Sequence, residues 1–597
     1  MESPEKEYSS LLATFEKDLS KFQKICKSFA WIRLCAFLAM IVFIYFSLTS
    51  EVPIAFVILA GLSLIAFIIL IYLHTTYSRK RDFNSRLVTL CINELKALRY
   101  RFLDFPDGSE FIDGSHDFSS DIDLFGQGSA YQYINRTVTD FGKHTLYDWL
   151  TTTNHDINEI SSRQASCQEL AAEANWRLHF SAKGMDRDLD DSPEKLLDWI
   201  QLPDMFNNKP HLIKLLRGWQ ALMLILLGVG IAGWIDYHWL ILAGLINLAI
   251  VGAYLKRISK VSALLGKAYG LLANYSGLLS HINHSGFKSE WMKQRIELLG
   301  SRGGSAAIEI DKLRKTLQQF DSRNNLLIGF TRDALFLTDL LLVLKMESWR
   351  EQNKKNISLW LNVLGEIDAM NSLATYACNN PSYTYPIAVS GDFTIDSRDL
   401  GHPLISPEER ICNDFSIQGW HSMVVLTGAN MAGKSTFLRT IGINHILAHT
   451  GAPVCAAEYK FKPTPLITSI RTNDSLIKHE SYFYAELKKL KRIIDALEQG
   501  NEVFILLDEV LKGTNSNDKL NGSIILIKKL LQLQASGIIA THDISLGELE
   551  QVYPENISNY CFEAEISNGQ LTFDYKLKPG TARNMTAIFL MKQMNIV

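Results

Sequence analysis

Apolar residues gather in four long runs along this chain, arranged as two close pairs. Leu34–Leu48 is uncharged, and the equally uncharged Val52–Leu73 follows after only Thr49-Ser50-Glu51. The second pair, Trp219–Ile235 and Tyr237–Leu255, is parted by Asp236 alone. A helix that crosses a bilayer needs about 20 predominantly apolar residues. The second and fourth runs meet that length as they stand; the first and third meet it with a little flanking sequence. Pro53 sits where a new helix would begin, a position that tolerates its missing N–H. Trp31, Tyr72, Trp219, Trp234, Tyr237, Trp239 and Tyr254 fall at the ends of the runs, where amphipathic rings favour the membrane–water boundary. The pattern predicts two transmembrane helical hairpins. Helices buried in a soluble core would also be apolar, but two pairs with turns this short and basic flanks on both sides favour the membrane.

Charge then orients the hairpins. Lys21, Lys24, Lys27 and Arg33 precede the first, and Arg79, Lys80 and Arg81 follow it. Lys209, Lys214 and Arg217 precede the second, and Lys256, Arg257 and Lys260 follow it. The turns carry only acids. Positive residues mark the cytosolic side, so the reading is an integral protein of a cytoplasmic or inner membrane, with its N-terminus and large polar segments in the cytosol. The chain opens on charged residues without a short apolar core and small-residue cleavage site, so no cleaved signal peptide is expected.

Outside the hairpins the periodicity changes twice. Residues 83–104 and roughly 256–378 show apolar positions at helical spacing, as in Leu264, Leu265, Tyr269, Leu271, Leu272, Tyr275, Leu278 and Leu279, and predict long packed helices. From about Tyr385, short β-branched runs (Met423–Leu426, Val503–Leu507, Ile538–Ala540) alternate with helical ones, the pattern of an α/β domain with a mostly parallel sheet. The formal net charge of −3 over 597 residues argues neither for nor against a nucleic-acid partner. The 8 cysteines form no C-x-x-C pair, so neither a zinc site nor a disulfide framework is suggested, and Cys378, Cys412 and Cys455, which fall in or near the α/β part, suit a reducing cytosol.

The candidate chemistry lies in the α/β part. Gly428-Ala429-Asn430-Met431-Ala432-Gly433-Lys434-Ser435, followed by Thr436, fits the G-x-x-x-x-G-K-[S/T] phosphate-binding pattern between a short strand and a helix. Its glycines let backbone N–H groups turn toward phosphate oxygens, and the helix N-terminus adds partial positive charge. Lys434 would reach the β- and γ-phosphates of ATP, and Ser435 would hold Mg²⁺. Val503–Leu507 is an apolar strand that would deliver Asp508 to the same magnesium shell. Glu509 is then placed to take a proton from an attacking water. His542, after the strand Ile538–Ala540, is a candidate sensor of the γ-phosphate.

Together these elements resemble the MutS family of ABC-type ATPases. Asn430-Met431 resembles the family's N-M within the loop. Asp508-Glu509 followed by Gly513-Thr514-Asn515-Ser516-Asn517-Asp518 resembles its D-E-x-G-R-G-T-S-T-x-D. Ala540-Thr541-His542 resembles its A-T-H switch, and Ser481-Tyr-Phe-Tyr-Ala-Glu486-Leu487 its signature segment. The resemblance implies that Ser481 reaches the ATP of the opposite subunit, hence a homodimer. Phe573–Gly580 is similar to the segment after the switch. Upstream, Asp123-Leu-Phe-Gly, Asn135-Arg-Thr-Val-Thr-Asp-Phe-Gly142, Trp149-Leu150 and Ser162-Arg-Gln164 resemble the start of the MutS core. Departures are Leu511-Lys512 for the family's G-R, His479-Glu480 for the G-R before the signature serine, and Lys519 for the glycine after the loop aspartate. Nothing before residue 110 resembles the mismatch-reading domain, and no segment between the core helices looks long enough for the DNA clamp.

The expected fold is therefore α plus α/β: an N-terminal helix (1–30), a first hairpin (31–74), a MutS-core-like helical part in two segments (83–215 and 256–384) interrupted by the second hairpin (216–255), and a C-terminal P-loop ATPase domain (385–597). The implied function is a membrane-anchored, ATP-dependent dimeric clamp that uses ATP and Mg²⁺, with duplex DNA as the partner the resemblance implies and no protein partner indicated. Two other readings stay open: an ABC-type transport or membrane-remodelling ATPase, and a slowly hydrolysing nucleotide-dependent scaffold.

Overall fold

In a computed structural model, residues 3–582 are described apart from 186–192, 205, 207–208, 267, 301–304, 430, 472–481, 512–515 and 568–569. The chain begins with two helices of 46 residues each, Pro4–Thr49 and Pro53–Leu98. At about 1.5 Å per residue each is roughly 69 Å long. They run antiparallel, as the ring pairs Phe46–Phe56, Phe37–Phe67 and Phe29–Tyr77 show, with centroids 5.5, 5.7 and 5.5 Å apart. The N-terminal helix and the first apolar run form one rod, and so do the second run and the helix expected over 83–104. The reason is local: no Gly or Pro lies between Lys17 and Ser50, or between Ser63 and Leu98, so nothing stops the helix at the change from apolar to polar surface.

Four helices are long and apolar enough to cross a membrane. In the first hairpin their most apolar stretches are wholly unburied within the protein; Trp31 and Leu48 are 69% and 81% exposed. The second hairpin consists of Lys209–Ile231 and Tyr237–Leu265. Its first arm stops at Ile231 rather than Ile235, because the chain turns through Gly233 at φ +76°, a conformation glycine adopts without steric penalty.

The helical stretch after the second hairpin is divided into Ala268–Asn283, Glu290–Gly300, Ala306–Asp321, Leu326–Phe336 and Thr338–Asn379. The short helix Leu326–Phe336 was not expected as a separate element. It lies against the second hairpin: Asn247 donates its side-chain amide to the Ala334 carbonyl at 2.8 Å and accepts from the Trp219 indole at 2.8 Å, and Gln220 donates to the Phe336 carbonyl at 2.7 Å. Leu337, at φ +51°, separates it from the next helix.

Thr338–Asn379, 42 residues and about 63 Å long, is the spine of the core and is buried along most of its length. The Asn135–Gly142 segment packs on it. Asp368, fully buried, accepts from the backbone N–H groups of Val138 and Thr139 at 3.0 and 2.8 Å and from the Thr139 hydroxyl at 2.7 Å. Gly142 is required there: a Cβ would collide with the Asp368 carboxylate. Arg136 pairs with Glu94 of the first hairpin's second rod at 2.6 Å, and Asn379 donates to the same carboxylate at 2.7 Å.

Beyond the spine the chain forms strands β1 (Ile387–Ala388), β2 (Thr394–Leu400), β3 (Asn413–Gln418), β4 (Met423–Gly428), β5 (Glu458–Phe461), β6 (Leu466–Ser469), β7 (Phe504–Asp508), β8 (Ser536–Thr541), β9 (Ile557–Ser567) and β10 (Gln570–Pro579). They make a small sheet ordered β1-β5-β2-β3 and a six-stranded sheet ordered β10-β9-β4-β8-β7-β6. From β9 to β6 all pairings are parallel; only β10 is antiparallel. The central strands β4, β7 and β8 are buried throughout, as expected of a parallel sheet covered on both faces. The molecule is thus of mixed α and β structure, with long apolar helices at its N-terminus.

Candidate functional site

The register of three strands assembles the site. Thr427 on β4 pairs with Thr541 on β8, and Asp508 on β7 pairs with Ala540. The residues that follow, Gly428, His542 and Glu509, therefore leave the sheet at one carboxyl edge. Ligands of open parallel sheets bind at that edge.

The loop after β4 turns through Gly428 (φ +153°), Met431 (φ +70°) and Gly433 (φ +102°) into the helix Lys434–Thr450. A Cβ at Gly428 would sit 2.7 Å from the Phe562 carbonyl on β9, so the strand pairing itself calls for glycine. Met431 is 81% exposed, whereas Ala432 is buried. Lys434 is only 8% exposed, and its ammonium donates to the carbonyls of Gly428 and Ala429 at 2.6 and 2.8 Å. Ser435 donates to Asp508 at 2.5 Å, which brings two hard oxygen ligands together from different elements. Thr436 follows on the exposed side of the same turn.

Glu509 has φ +56°, a conformation that non-glycine residues rarely hold and that costs about 1–3 kcal/mol. Its N–H is anchored on the Ala540 carbonyl at 2.8 Å, and its Oε1 meets the His542 imidazole Nδ1. The third arm is Lys519, whose Nζ is 3.4 Å from the same oxygen. Leu511 is also left-handed, at φ +62°, and its N–H donates to buried Glu486 at 2.6 Å. Asn430 and Ser481 lie outside the described residues.

Of these groups, Met431, Gly433, Lys434, Ser435, Asp508 and Glu509 border a cavity of about 460 Å³, whereas His542 and Lys519 stand behind Glu509 and are not part of its lining; the volume is within the size range of small-molecule sites. The cavity lining mixes polar groups, Lys434, Ser435, Asp508, Glu509 and Glu409, with His402, Ile405, Ile411, Phe562 and Tyr575. Burial, reinforced by the nearby Arg439 and Arg410 guanidiniums, pushes the His402 imidazole down to about 4, so it is neutral at pH 7. Tyr575 stands over the loop because β10 is irregular between Phe573 and Leu577. Asn413 holds the irregularity, donating to the Tyr575 carbonyl at 3.1 Å and accepting from the Leu577 N–H at 2.8 Å. Sequence reasoning singled out the Phe573–Gly580 segment but not Tyr575 as a wall, and it missed His402 and Ile405. Nothing in their local sequence marks them; they reach the cavity from the strand ends and loops of the small sheet. Among the described residues no cluster of three or more His, Cys, Asp or Glu could hold a metal ion. A cation here would thus rest on Ser435, Asp508 and the ligand's own oxygens.

Comparison with known proteins falls on this same region. Residues 424–596 match the family model for MutS domain V. The DNA mismatch repair protein MutS of Ehrlichia chaffeensis is 30% identical over 239 residues, covering 40% of this chain and 29% of that protein. MutS of Thermotoga maritima is 26% identical over 246 residues, covering 40% and 30%. Human MutS protein homolog 4 is 30% identical over 224 residues, covering 36% and 23%. The matched part spans less than a third of the length of each of these relatives.

Proposed function

We propose that this chain, a member of the MutS family through its C-terminal domain, is a membrane-anchored ATPase that closes as a homodimer around ATP. The observation that carries this reading is the meeting, at one sheet edge, of Lys434, Ser435, Asp508 and Glu509 around one cavity, with His542 against Glu509. The Lys434, Ser435 and Asp508 groups suit the phosphates, and the apolar and aromatic lining, with neutral His402, suits the base. Lys434 would exchange its two carbonyl partners for β- and γ-phosphate oxygens, a stronger charge-assisted interaction. Ser435 and Asp508 would hold Mg²⁺, whose role when bound is to offset phosphate charge. Glu509 would accept the proton of the attacking water as its oxygen bonds to the γ-phosphorus and the bond to the β–γ bridging oxygen breaks, releasing ADP and phosphate. His542, against Glu509, would orient that carboxylate.

The four exposed apolar helices support anchoring in a bilayer: surfaces this large and apolar are not kept in water. The transport alternative has less support, because the amide side chains in the second hairpin's apolar runs are engaged, Asn247 with Trp219 and Ala334 and Gln220 with Phe336. A role on DNA follows from the named functions of the relatives and is carried as part of the proposal.

The test is Glu509→Gln in detergent-solubilised full-length protein. With ATP it should accumulate as a dimer in sedimentation, and Lys434→Ala should lose ATP binding by about 100-fold or more. A Glu509→Gln protein that stays monomeric at saturating ATP would overturn the shared-site reading.

A further inference from the structure

Lys519 is unusual for where it stands. It is the fourth residue of the helix Ser516–Gln532, where the helix dipole disfavours a cation. Its side chain is nevertheless largely buried, at 18% exposure, with its ammonium 3.4 Å from Glu509 Oε1. That oxygen also meets His542 Nδ1. Two such contacts on one oxygen pin the orientation of the whole carboxylate.

The packing beneath this contact gives it rigidity. Gly522 lies three residues further on the same helix face. A Cβ there would come within 2.5 Å of Leu511 Cδ1, so the glycine makes room for the Leu511 side chain. Leu511 in turn is held left-handed and tied through its N–H to Glu486. The turn 508–511 and the start of the helix are therefore keyed together at two points, Leu511 on Gly522 and Glu509 on Lys519. Lys519 and Leu511 are also two of the positions at which the sequence departs from the family pattern.

We propose that Lys519 is a lock on the hydrolytic carboxylate. It holds Glu509 Oε1 away from the attacking water until the start of the helix Ser516–Gln532 shifts relative to the 508–511 turn. The inference rests on the ATPase reading above and deepens it: the same site binds ATP fully but turns it over only after that shift. Lys519 is a positioning residue, since it acts on Glu509 and not on the phosphates.

The test uses full-length solubilised protein with Lys519→Gln, which keeps most of the stem and removes the charge, and Lys519→Arg, which keeps the charge. Single-turnover hydrolysis and ATP affinity are measured together, with Lys434→Ala as the reference for a dead site. The lock predicts that Lys519→Gln raises the hydrolysis rate by about 5-fold or more with KM for ATP within about 2-fold, and that Lys519→Arg stays at the slow rate. Lys519→Met, judged by the same readings, replaces Lys519→Gln if the latter does not fold. An unchanged or lower rate with ATP affinity intact overturns the lock while leaving the site reading in place. ATP affinity that Lys434→Ala leaves unaltered overturns the site reading and the lock with it.

Discussion

The two hairpins look alike in sequence and differ in how the fold holds them. The first is two straight rods that pack on each other, and its apolar stretches bury nothing against the rest of the protein. Its hydroxyls answer to their own helices, as when Ser47 donates to the Ile44 carbonyl at 2.7 Å. The second is docked. Trp219, Gln220 and Asn247 bond to each other or to the end of the helix Leu326–Phe336, and that helix passes through Leu337 directly into the spine Thr338–Asn379. The spine ends beside the α/β part that holds the candidate site. Position in the chain explains the difference. The first hairpin precedes the core and needs only to be tethered to it, whereas the second interrupts the core and has to be built into it.

The strongest way to break this contrast is at the spine. Asp368→Ala leaves the donors of Val138 and Thr139 buried without their acceptor, and should destabilise the protein by about 2–4 kcal/mol. Thermal unfolding of the solubilised chain reads this, and a change below about 0.5 kcal/mol would mean that the spine does not hold the core. Next comes the docked hairpin itself. Asn247→Leu strands the Trp219 indole and the Ala334 carbonyl at about 1–3 kcal/mol, while Ser47→Ala in the first hairpin should stay within about 0.5 kcal/mol. Equal effects at the two sites would erase the distinction.

The smallest effect expected separates the α/β part from both hairpins. Burial pushes His445 down to about 4, and burial with the neighbouring His445 pushes His449 well below its usual range. Each donates from Nε2 to the Thr464 carbonyl, at 2.8 and 3.1 Å. Unfolding exposes imidazoles that bind protons near pH 6.5, so the stability they contribute is present above that pH and lost as pH falls toward 4. Between pH 7.5 and 5.5 the loss should be about 1 kcal/mol per histidine, seen as a falling unfolding midpoint of the wild type that His445→Asn partly flattens. A midpoint independent of pH would show that these rings are not buried neutral.

Much of the candidate site could be read in the chain because its residues sit at strand ends. An apolar strand followed by glycines and Lys434-Ser435, or by Asp508-Glu509, states its own geometry, since a parallel strand delivers its last residue to a known edge. The apolar runs were equally legible because lipid or core burial imposes one composition over a long stretch. The elements that differ from expectation have one local cause and otherwise tertiary ones. The rods Pro4–Thr49 and Pro53–Leu98 run through the change in polarity because no breaker opposes them. The helix Leu326–Phe336 is separate because Leu337 is forced left-handed where two helices meet the hairpin. His402 enters the cavity from a region with no motif, and Tyr575, inside the Phe573–Gly580 segment, becomes a wall only through the irregularity of β10.

The sequence by itself determined the local chemistry: which stretches are apolar enough to leave water, where a loop can turn on glycine, and which carboxylates end a buried strand. These follow from the side chains and backbone freedom of a few adjacent residues. Only the tertiary structure decided what meets across the chain. Register brings Glu509, 33 residues before His542, onto that imidazole; helix-to-turn packing over Gly522 sets Lys519 on the same oxygen; and the bonds of Gln220 and Asn247 to the helix Leu326–Phe336 dock the apolar part of one hairpin on the core, while the apolar part of the other packs only on itself. Such contacts depend on how distant surfaces fill space together, and no local pattern encodes that.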